Sequence, residues 1–282
     1  IDWLSVTHRA NPDGERITEE QSLAYANATA VLAGLRSHRS KAHSGYNNAI
    51  LYENGALVQW HPNRPEMGTN YLYTGKVLAS YDAFALLKNH VRGGGKVRRL
   101  DISIDTNAPL DIWQLFDQSK KGKMNSRSRT NPRYIEENGA TMYIGAKTSE
   151  EMVRIYDKRA EQLQPDTAPN WYRIELKIVD DKAVNAAHVV INEGLEVIAR
   201  LIRGYVDFPS STVWKLVFDN VDGTTLSAGE RKLSDTKAWL LTVVASSLAK
   251  ITQDDPQFEA DFMAQWRHRR YPDESSNWPD EG

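Results

Sequence analysis

Arg99-Leu-Asp-Ile-Ser-Ile-Asp105 alternates apolar and polar residues without interruption. Side chains along a strand point to opposite faces in turn, so Leu100, Ile102 and Ile104 fall on one face and Asp101, Ser103 and Asp105 on the other. The same period recurs twice downstream. From Met152 to Lys158 it sets Val153 and Ile155 on an apolar face and groups Arg154, Tyr156 and Lys158 opposite. From Trp171 to Val179 it separates Tyr172, Ile174, Leu176 and Ile178 from Arg173, Glu175 and Lys177. Three such strands describe a sheet covered on one side. If they are neighbours, carboxylates, cations and a tyrosine converge on the uncovered face.

Working outward, the spacing predicts a strand at 2–8, a helix over 18–36 opened by Thr18 with Gln21 at capping-box spacing, and a hairpin of 46–52 with 56–60 around Asn54-Gly55. A strand at 70–78 and a helix from Ser80, stopped before Gly93-Gly94-Gly95, precede the strand Val97–Asp105. The order then repeats: a helix at 109–119, a basic loop, a hairpin of 140–146 with 152–158, a strand at 171–179 and a helix at 183–203. The expected fold class is α+β, with a mostly antiparallel central sheet built from two similar βαβββα-like halves and followed by C-terminal helices. The expected boundaries are 1–92 and 97–205 for the halves and 206–270 for a C-terminal helical, DNA-contacting region, with a disordered tail at 271–282. Within the third segment, Val213-Trp-Lys-Leu-Val-Phe218 reads as β-like, and helices are expected at 234–252 and 256–268.

Composition narrows the function. The 282 residues are 40% hydrophobic and 26% charged, enough for a substantial core and incompatible with intrinsic disorder. There is no cysteine, which excludes disulfides, a thiolate zinc site and a cysteine nucleophile, and fits a reducing, cytoplasmic location. The mean hydropathy is −0.57. No apolar run approaches the ~18 residues of a membrane span, so no membrane partner is expected. The chain opens on Ile1 rather than Met, so a trimmed or processed start is expected. Net charge is 35 − 37 = −2, and nucleic-acid binding would therefore depend on local patches. Residues 119–133 form one, with Lys120, Lys121, Lys123, Arg127, Arg129 and Arg133 and no acid. A second basic cluster, W-R-H-R-R-Y, occupies 266–271.

The polar faces suggest chemistry. Hard divalent cations take oxygen ligands, so Asp101 or Asp105 with Glu175 suits Mg²⁺ or Mn²⁺, leaving positions open for phosphate oxygens. A phenol is a weak nucleophile at its ordinary pKa of ~10 and needs a metal or cations such as Arg154 and Lys158 beside it. That set suits phosphoryl transfer. Exposed salt bridges on a solvated sheet face, with Tyr156 as half-buried filler, account for the same spacing.

Four motifs in order, R-L-D-I-S-I-D (99–105), T-M-Y-I-G-A-K-T-S (141–149), R-I-Y-D-K-R-A-E-Q (154–162) and W-Y-R-I-E-L-K (171–177), together with the opening D-W-L-S-V-T, resemble the replication initiation factor family, Rep_trans. That family serves rolling-circle plasmids, filamentous phages and integrative elements, and the likeness covers about 1–205. The resemblance implies an origin-nicking DNA strand transferase that forms a 5′-phosphotyrosine and releases a 3′-OH primer. It also implies Tyr156 as nucleophile, with Tyr143 as the rival, and Lys158 and Arg173 balancing phosphate charge. Asp101 and Glu175 would be the leading ligands of Mg²⁺ or Mn²⁺, and Asp105 a further one. Relatives often read I-G-S-R where this chain has Gly145-Ala146-Lys147, so an arginine contact becomes Lys147 at best. Other rolling-circle initiators hold their metal with paired histidines; none of the seven here forms such a pair, and His8 and His61 are expected to be surface or core residues.

The implied partner is DNA: a double-stranded origin, hairpin or single-stranded nick site. The basic segment, Lys147 and Arg154 would grip its phosphates, and Trp171 and Trp266 would stack on bases unless they simply pack. A homodimer and a host helicase are further implied partners. Two other functions fit the same residues: a metal-dependent endonuclease that uses water, and a non-catalytic origin- or operator-binding protein.

Overall fold

In the computed structural model, 97–105 is the centre of an eleven-residue strand, Lys96–Thr106, at the middle of a ten-stranded sheet. The structure describes residues 1–8, 32, 34–165, 167–218, 222–224, 226, 251–252, 255 and 257–270, with the backbone alone for 259 and 266–270. The expected helix at 18–36 lies almost wholly outside them, as do most of 234–252 and the tail 271–282.

The strands are β1 (Trp3–His8), β2 (Ser37–Ser40), β3 (Asn48–Tyr52), β4 (Leu57–Trp60), β5 (Thr69–Thr74), β6 (Lys96–Thr106), β7 (Asn125–Ser126), β8 (Arg133–Glu136), β9 (Ala140–Ile144), β10 (Glu151–Asp157), β11 (Tyr172–Val179) and β12 (Val206–Asp207). The helices are α1 (Gly75–Leu78), α2 (Ala83–Arg92), α3 (Ile112–Lys120), α4 (Lys158–Glu161), α5 (Asp180–Glu193), α6 (Val197–Tyr205), α7 (Thr212–Val217) and α8 (Gln257–Arg270). Sheet order is β2-β3-β4-β5-β1-β6-β11-β10-β9-β8, and every pairing is antiparallel. Each half sets its first strand at the centre, β1 beside β6, and lays its other four outward as a meander.

Leu4, Val6, Leu100, Ile102, Val153, Ile155, Ile174, Leu176 and Ile178 are wholly buried on one face, under Leu87 of α2, Ala183, Ala186 and Val190 of α5, and Ile202 of α6. Helix starts follow local chemistry. The carboxylates of Asp82, Asp111 and Asp157 accept from the backbone N–H groups of Ala85, Gln114 and Ala160 at 2.8–3.0 Å, satisfying donors that have no intrahelical partner.

Three expectations are corrected. The halves have an extra edge strand each, β2 (S-H-R-S) and β8 (R-Y-I-E), whose largely polar sequences conceal a strand held by one neighbour only. The expected helix over 183–203 is two, α5 and α6, broken at Gly194, which takes a positive φ of 86° that L side chains avoid. Finally, 213–218 is not β-like: α7 forms because the Ser211 hydroxyl caps Trp214 N at 3.2 Å and the Trp214 ring packs between Phe208 and Phe218. The helix expected at 256–268 is α8, in a separate compact unit, 230–282. Among the described residues no helix is long and apolar enough to cross a membrane.

His90 is buried and His8 half-buried: His8 Nε2 lies 2.9 Å from His90 Nδ1, and His90 Nε2 lies 2.9 Å from the Tyr73 hydroxyl. Burial holds the His90 imidazole down at about 4, so it is neutral at physiological pH.

The turn after β9 is tightly specified. Gly145 has φ 106°, and a Cβ there would lie 2.5 Å from the Tyr205 hydroxyl oxygen. Gly145→Ala is expected to cost about 2–4 kcal/mol, combining a left-handed alanine with overpacking. Adding Tyr205→Phe removes the clashing oxygen and should recover part of that loss but leave the backbone cost, which urea unfolding of the single and double variants measures.

Candidate active site

The open face of the second half is read in rows across the sheet. One row is Thr141, Tyr156, Arg173 and Asp105, on β9, β10, β11 and β6. The next is Tyr143, Arg154, Glu175 and Ser103, and beyond it Met152, Lys177, Asp101 and Trp3 of β1. Antiparallel register thus assembles groups that are more than 70 residues apart in the chain. A cavity of about 930 Å³ sits over these rows, lined among others by Asp2, Asp101, Tyr143, Arg154, Arg173 and Glu175.

Tyr156 lies beneath this lining, covered by Arg154 and touching Glu175, both of which face the cavity. The residue is only 2% exposed, its hydroxyl donates to Glu175 Oε2 at 3.4 Å, and the Arg154 guanidinium stacks 3.8 Å above its ring. Burial raises the phenol well above its ordinary range despite Arg154, so it stays protonated at neutral pH. Lys158 Nζ lies 5.5 Å from the same ring and is paired with Glu161.

Two acids lie side by side beneath the cavity. Glu175 receives Arg154 Nη2 at 3.2 Å, yet burial pushes its carboxyl up, and Asp101 and Asp2 add to the rise. Asp101 is 1% exposed; Arg99 holds it through Nε at 2.9 Å and Nη2 at 2.5 Å, and burial nevertheless raises it. Arg99 itself stacks 4.4 Å over Trp3. Asp105 stands apart. Burial opposes its ionisation, but the fork of Arg173, at 2.6 and 2.7 Å, prevails and holds its carboxyl below the usual range. Arg173 also bonds Asp2.

The donor chemistry of Asp101 and Glu175 fits a hard divalent cation, and their raised carboxyls mark negative charge that such an ion would neutralise. Among the described residues no group of three His, Cys, Asp or Glu could enclose a metal, so water or phosphate oxygens would complete the shell. Mg²⁺ commonly binds in this way, through one or two carboxylates and substrate phosphates.

The structure therefore brings together Tyr156, Lys158, Arg154, Arg173, Asp101 and Glu175, and ties Asp105 to Arg173 instead. The basic segment is dispersed. Arg133 reaches the site, 5.5 Å over the Tyr143 ring. Lys120 covers Phe116 and Trp113, Lys121 pairs with Asp117, and Lys123 is exposed. Arg127 and Arg129 line a separate cavity with Lys182 and Tyr205. Lys147 is exposed, and its carbonyl accepts from Lys177 Nζ at 2.7 Å. Trp171 lines the site, whereas the Trp266 side chain lies outside the described residues. Sequence reasoning missed Asp2, Arg99 and Glu161. The signal for Asp2 and Arg99 was their alternation with Asp101 and with β1, which acquires meaning only once β1 pairs with β6.

Comparison with known proteins bears on the family and the fold. The sequence model of a family described as replication initiation factor, Rep_trans, matches residues 95–266, more than half of the chain. A Bacillus subtilis (strain 168) protein assigned as a DNA relaxase, NicK, is 29% identical over 143 residues, 45% of this chain and 40% of that protein. The chain thus spans less than half the length of this relative. The solved structure of a rolling circle replication initiator protein from Geobacillus stearothermophilus has the same fold, with a TM-score of 0.63 at 20% identity over 80% of this chain and 97% of that one.

Proposed function

Because the chain belongs to the replication initiation factor family, we propose that it nicks and rejoins origin DNA through a covalent 5′-phosphotyrosine, in a metal-dependent reaction. The observation that carries this reading is the Tyr156 hydroxyl donating to Glu175 Oε2, with Arg154 stacked on its ring and Arg173 opposite it on the next strand, directly beneath a cavity that Glu175, Arg154 and Arg173 line. In the reaction the phenol oxygen bonds to the scissile phosphorus and the bond from phosphorus to the 3′ oxygen breaks. The phenol proton moves to Glu175, whose raised carboxyl suits proton acceptance, and is passed on to the departing 3′ oxygen, which leaves as a hydroxyl. Arg154 and Arg173 oppose the charge that develops on the phosphoryl oxygens, and Lys158 adds a third cation at the rim. Reversal by an incoming 3′-OH reseals the strand without ATP. Asp101 and Glu175 would hold Mg²⁺ or Mn²⁺, which would draw charge from the phosphate and favour phenolate formation.

Residues 1–92 would support the catalytic half, 97–205, and 206–270 would add DNA contacts. The partner is DNA, as duplex origin, hairpin or single strand, gripped by the basic segment, Lys147 and Arg154. A homodimer would supply a second phenol to end the cycle, a host helicase would open the duplex, and the cytoplasm is the site of action. A second nucleophile has its own support: Tyr143 lines the cavity directly and lies under Arg133, whereas Tyr156 is covered by Arg154.

The test is incubation of the protein with labelled single-stranded origin DNA and Mn²⁺, denaturing electrophoresis, and peptide mapping of any adduct. Tyr156→Phe is expected to lower adduct formation by about 10³-fold or more. An adduct that persists in Tyr156→Phe and is lost in Tyr143→Phe would transfer the role to Tyr143. Cleavage without adduct would mean a hydrolytic nuclease, and tight binding without cleavage a non-catalytic origin-binding protein.

A further inference from the structure

A second cavity, of about 910 Å³, lies on the same sheet face in the first half and shares the wall formed by Trp3 and Arg99 with the catalytic cavity. Its volume falls within the range of small-ligand pockets, ~300–1,000 Å³. Its floor is polar where a strand interior is ordinarily apolar. Gln59 is 1% exposed and Asn70 3%; Gln59 Nε2 donates to Asn70 Oδ1 at 3.0 Å, and Asn70 Nδ2 donates to Ser5 Oγ at 2.9 Å and Thr7 Oγ1 at 3.1 Å. Gln59 Oε1 accepts from His43 N at 2.9 Å, which ties the loop between β2 and β3 across the face. Tyr46 fixes the same loop by donating to Met67 O at 3.2 Å.

Buried amides cost free energy unless they are satisfied, and this network holds Gln59 and Asn70 in fixed orientations under the cavity. Among the described residues Trp3 Nε1, on the wall of this cavity, is buried without a partner. Leu57 of β4 and Leu72 of β5 continue the floor beside Gln59 and Asn70, and Tyr46, Arg98 and Arg99 also line the cavity. A flat group with polar edges and an adjoining anion matches that layout. Stacking on Tyr46, edge contacts along the Gln59–Asn70 floor and a phosphate on the exposed Arg98 would each be used by one unpaired nucleotide.

We propose that this cavity receives a single flipped-out or unpaired base of the same DNA strand whose phosphodiester lies in the catalytic cavity, so that the first half of the chain reads sequence while the second half cleaves. The inference rests on the nicking reading only for the identity of the strand. The paired amides and the shared Trp3–Arg99 wall are independent of which tyrosine reacts.

The test uses a random-sequence single-stranded dodecamer carrying one 5-iododeoxyuridine, which cross-links to aromatic side chains on irradiation, followed by peptide mapping, with the covalent-adduct assay run in parallel. Cross-links at Tyr46 or His43 are expected. Tyr46→Ala should weaken binding of the dodecamer by about tenfold. Arg98→Ala, at an exposed position, and Gln59→Leu should each lower the Tyr46 cross-link, with folding checked by circular dichroism. Cross-links confined to Tyr143, Trp171 or Trp113, or none in a protein that still forms the tyrosine adduct, would overturn the proposal and leave the nicking reading intact. Cross-links at Tyr46 in a protein that never forms an adduct would uphold the base pocket and remove the nicking reading. A protein that binds no single strand would remove both.

Discussion

Glu175→Gln is expected to melt higher than the parent protein in EDTA and to lose nicking. Its carboxylate is buried beside Asp101 and Asp2, and its pKa is raised above the ordinary 4.5 because burial and two like charges outweigh Arg154. The native state therefore binds this proton more tightly than the unfolded chain, so this group makes stability fall as pH rises from about 4.5 through the raised native value. A neutral isostere avoids that loss, and Arg154 keeps Glu161 at 3.4 Å. The gain should be of order 1 kcal/mol, or about 2–4 °C in Tm for a domain of this size. It should disappear below about pH 4, where the native wild-type carboxyl is also neutral. Nicking should fall by roughly 10²–10³-fold if the proposed mechanism holds, because the substitution removes the proposed acceptor of the phenol proton and a carboxylate that would hold the cation. Mn²⁺ adds the second arm. At about 100 times its Kd a cation that binds only the native state stabilises by ~2.7 kcal/mol. The wild type should show such a rise and the variant should not. A variant that melts lower than wild type in EDTA at pH 7 would mean that the Arg154 ion pair outweighs the repulsion. Stability and function would then not conflict at this residue.

The part of this site that was legible in the sequence is the part that alternation controls. A period of two assigns each residue to a face whatever its neighbours, so the apolar set of Leu100, Ile102, Val153, Ile155, Ile174 and Leu176 and the polar set of Asp101, Arg154, Tyr156, Arg173 and Glu175 could be separated before any pairing was known. Register and strand order are not local. Asp2 and Arg99 become site residues because β1 lies against β6, with Asp2 N donating to Asp101 O at 2.8 Å, and no pattern within either strand announces that contact. The same limit hid β2 and β8, because an edge strand with one partner and wet faces needs no apolar period. In 213–218 the β-branched and aromatic composition suggested a strand, but tertiary packing of Trp214 between Phe208 and Phe218 decided for helix. Burial of the proposed nucleophile was likewise unreadable, since it depends on Arg154 lying flat over the Tyr156 ring.

Arg173→Met is expected to reduce nicking by roughly 10²–10³-fold, the usual size of losing one charge-stabilising donor. Arg173 sits opposite Tyr156 on one side and Asp105 on the other, so it adjoins both the phenol and the carboxylate that orients it. Its bidentate fork to Asp105 leaves Nη1 for Asp2, and this three-way tie fixes the guanidinium at the cavity wall. The fold should tolerate the loss: the Asp105 side chain is 39% exposed, so water can replace the arginine there. Arg173→Lys separates charge from geometry. Lysine keeps the cation but cannot hold Asp105 bidentately while facing the phenol. Near-wild-type single-turnover nicking by the lysine variant would mean that charge alone acts. A loss as large as that of the methionine variant, with unchanged affinity for DNA, would mean that a fixed guanidinium is required in the transition state. The geometry favours the second result, because an untethered ammonium at this position is drawn toward Asp105 and away from the phenol. If both variants cleave as well as the parent, the row from Tyr156 to Asp105 is a structural ion pair, and the catalytic cations are to be sought in Arg154 and Lys158.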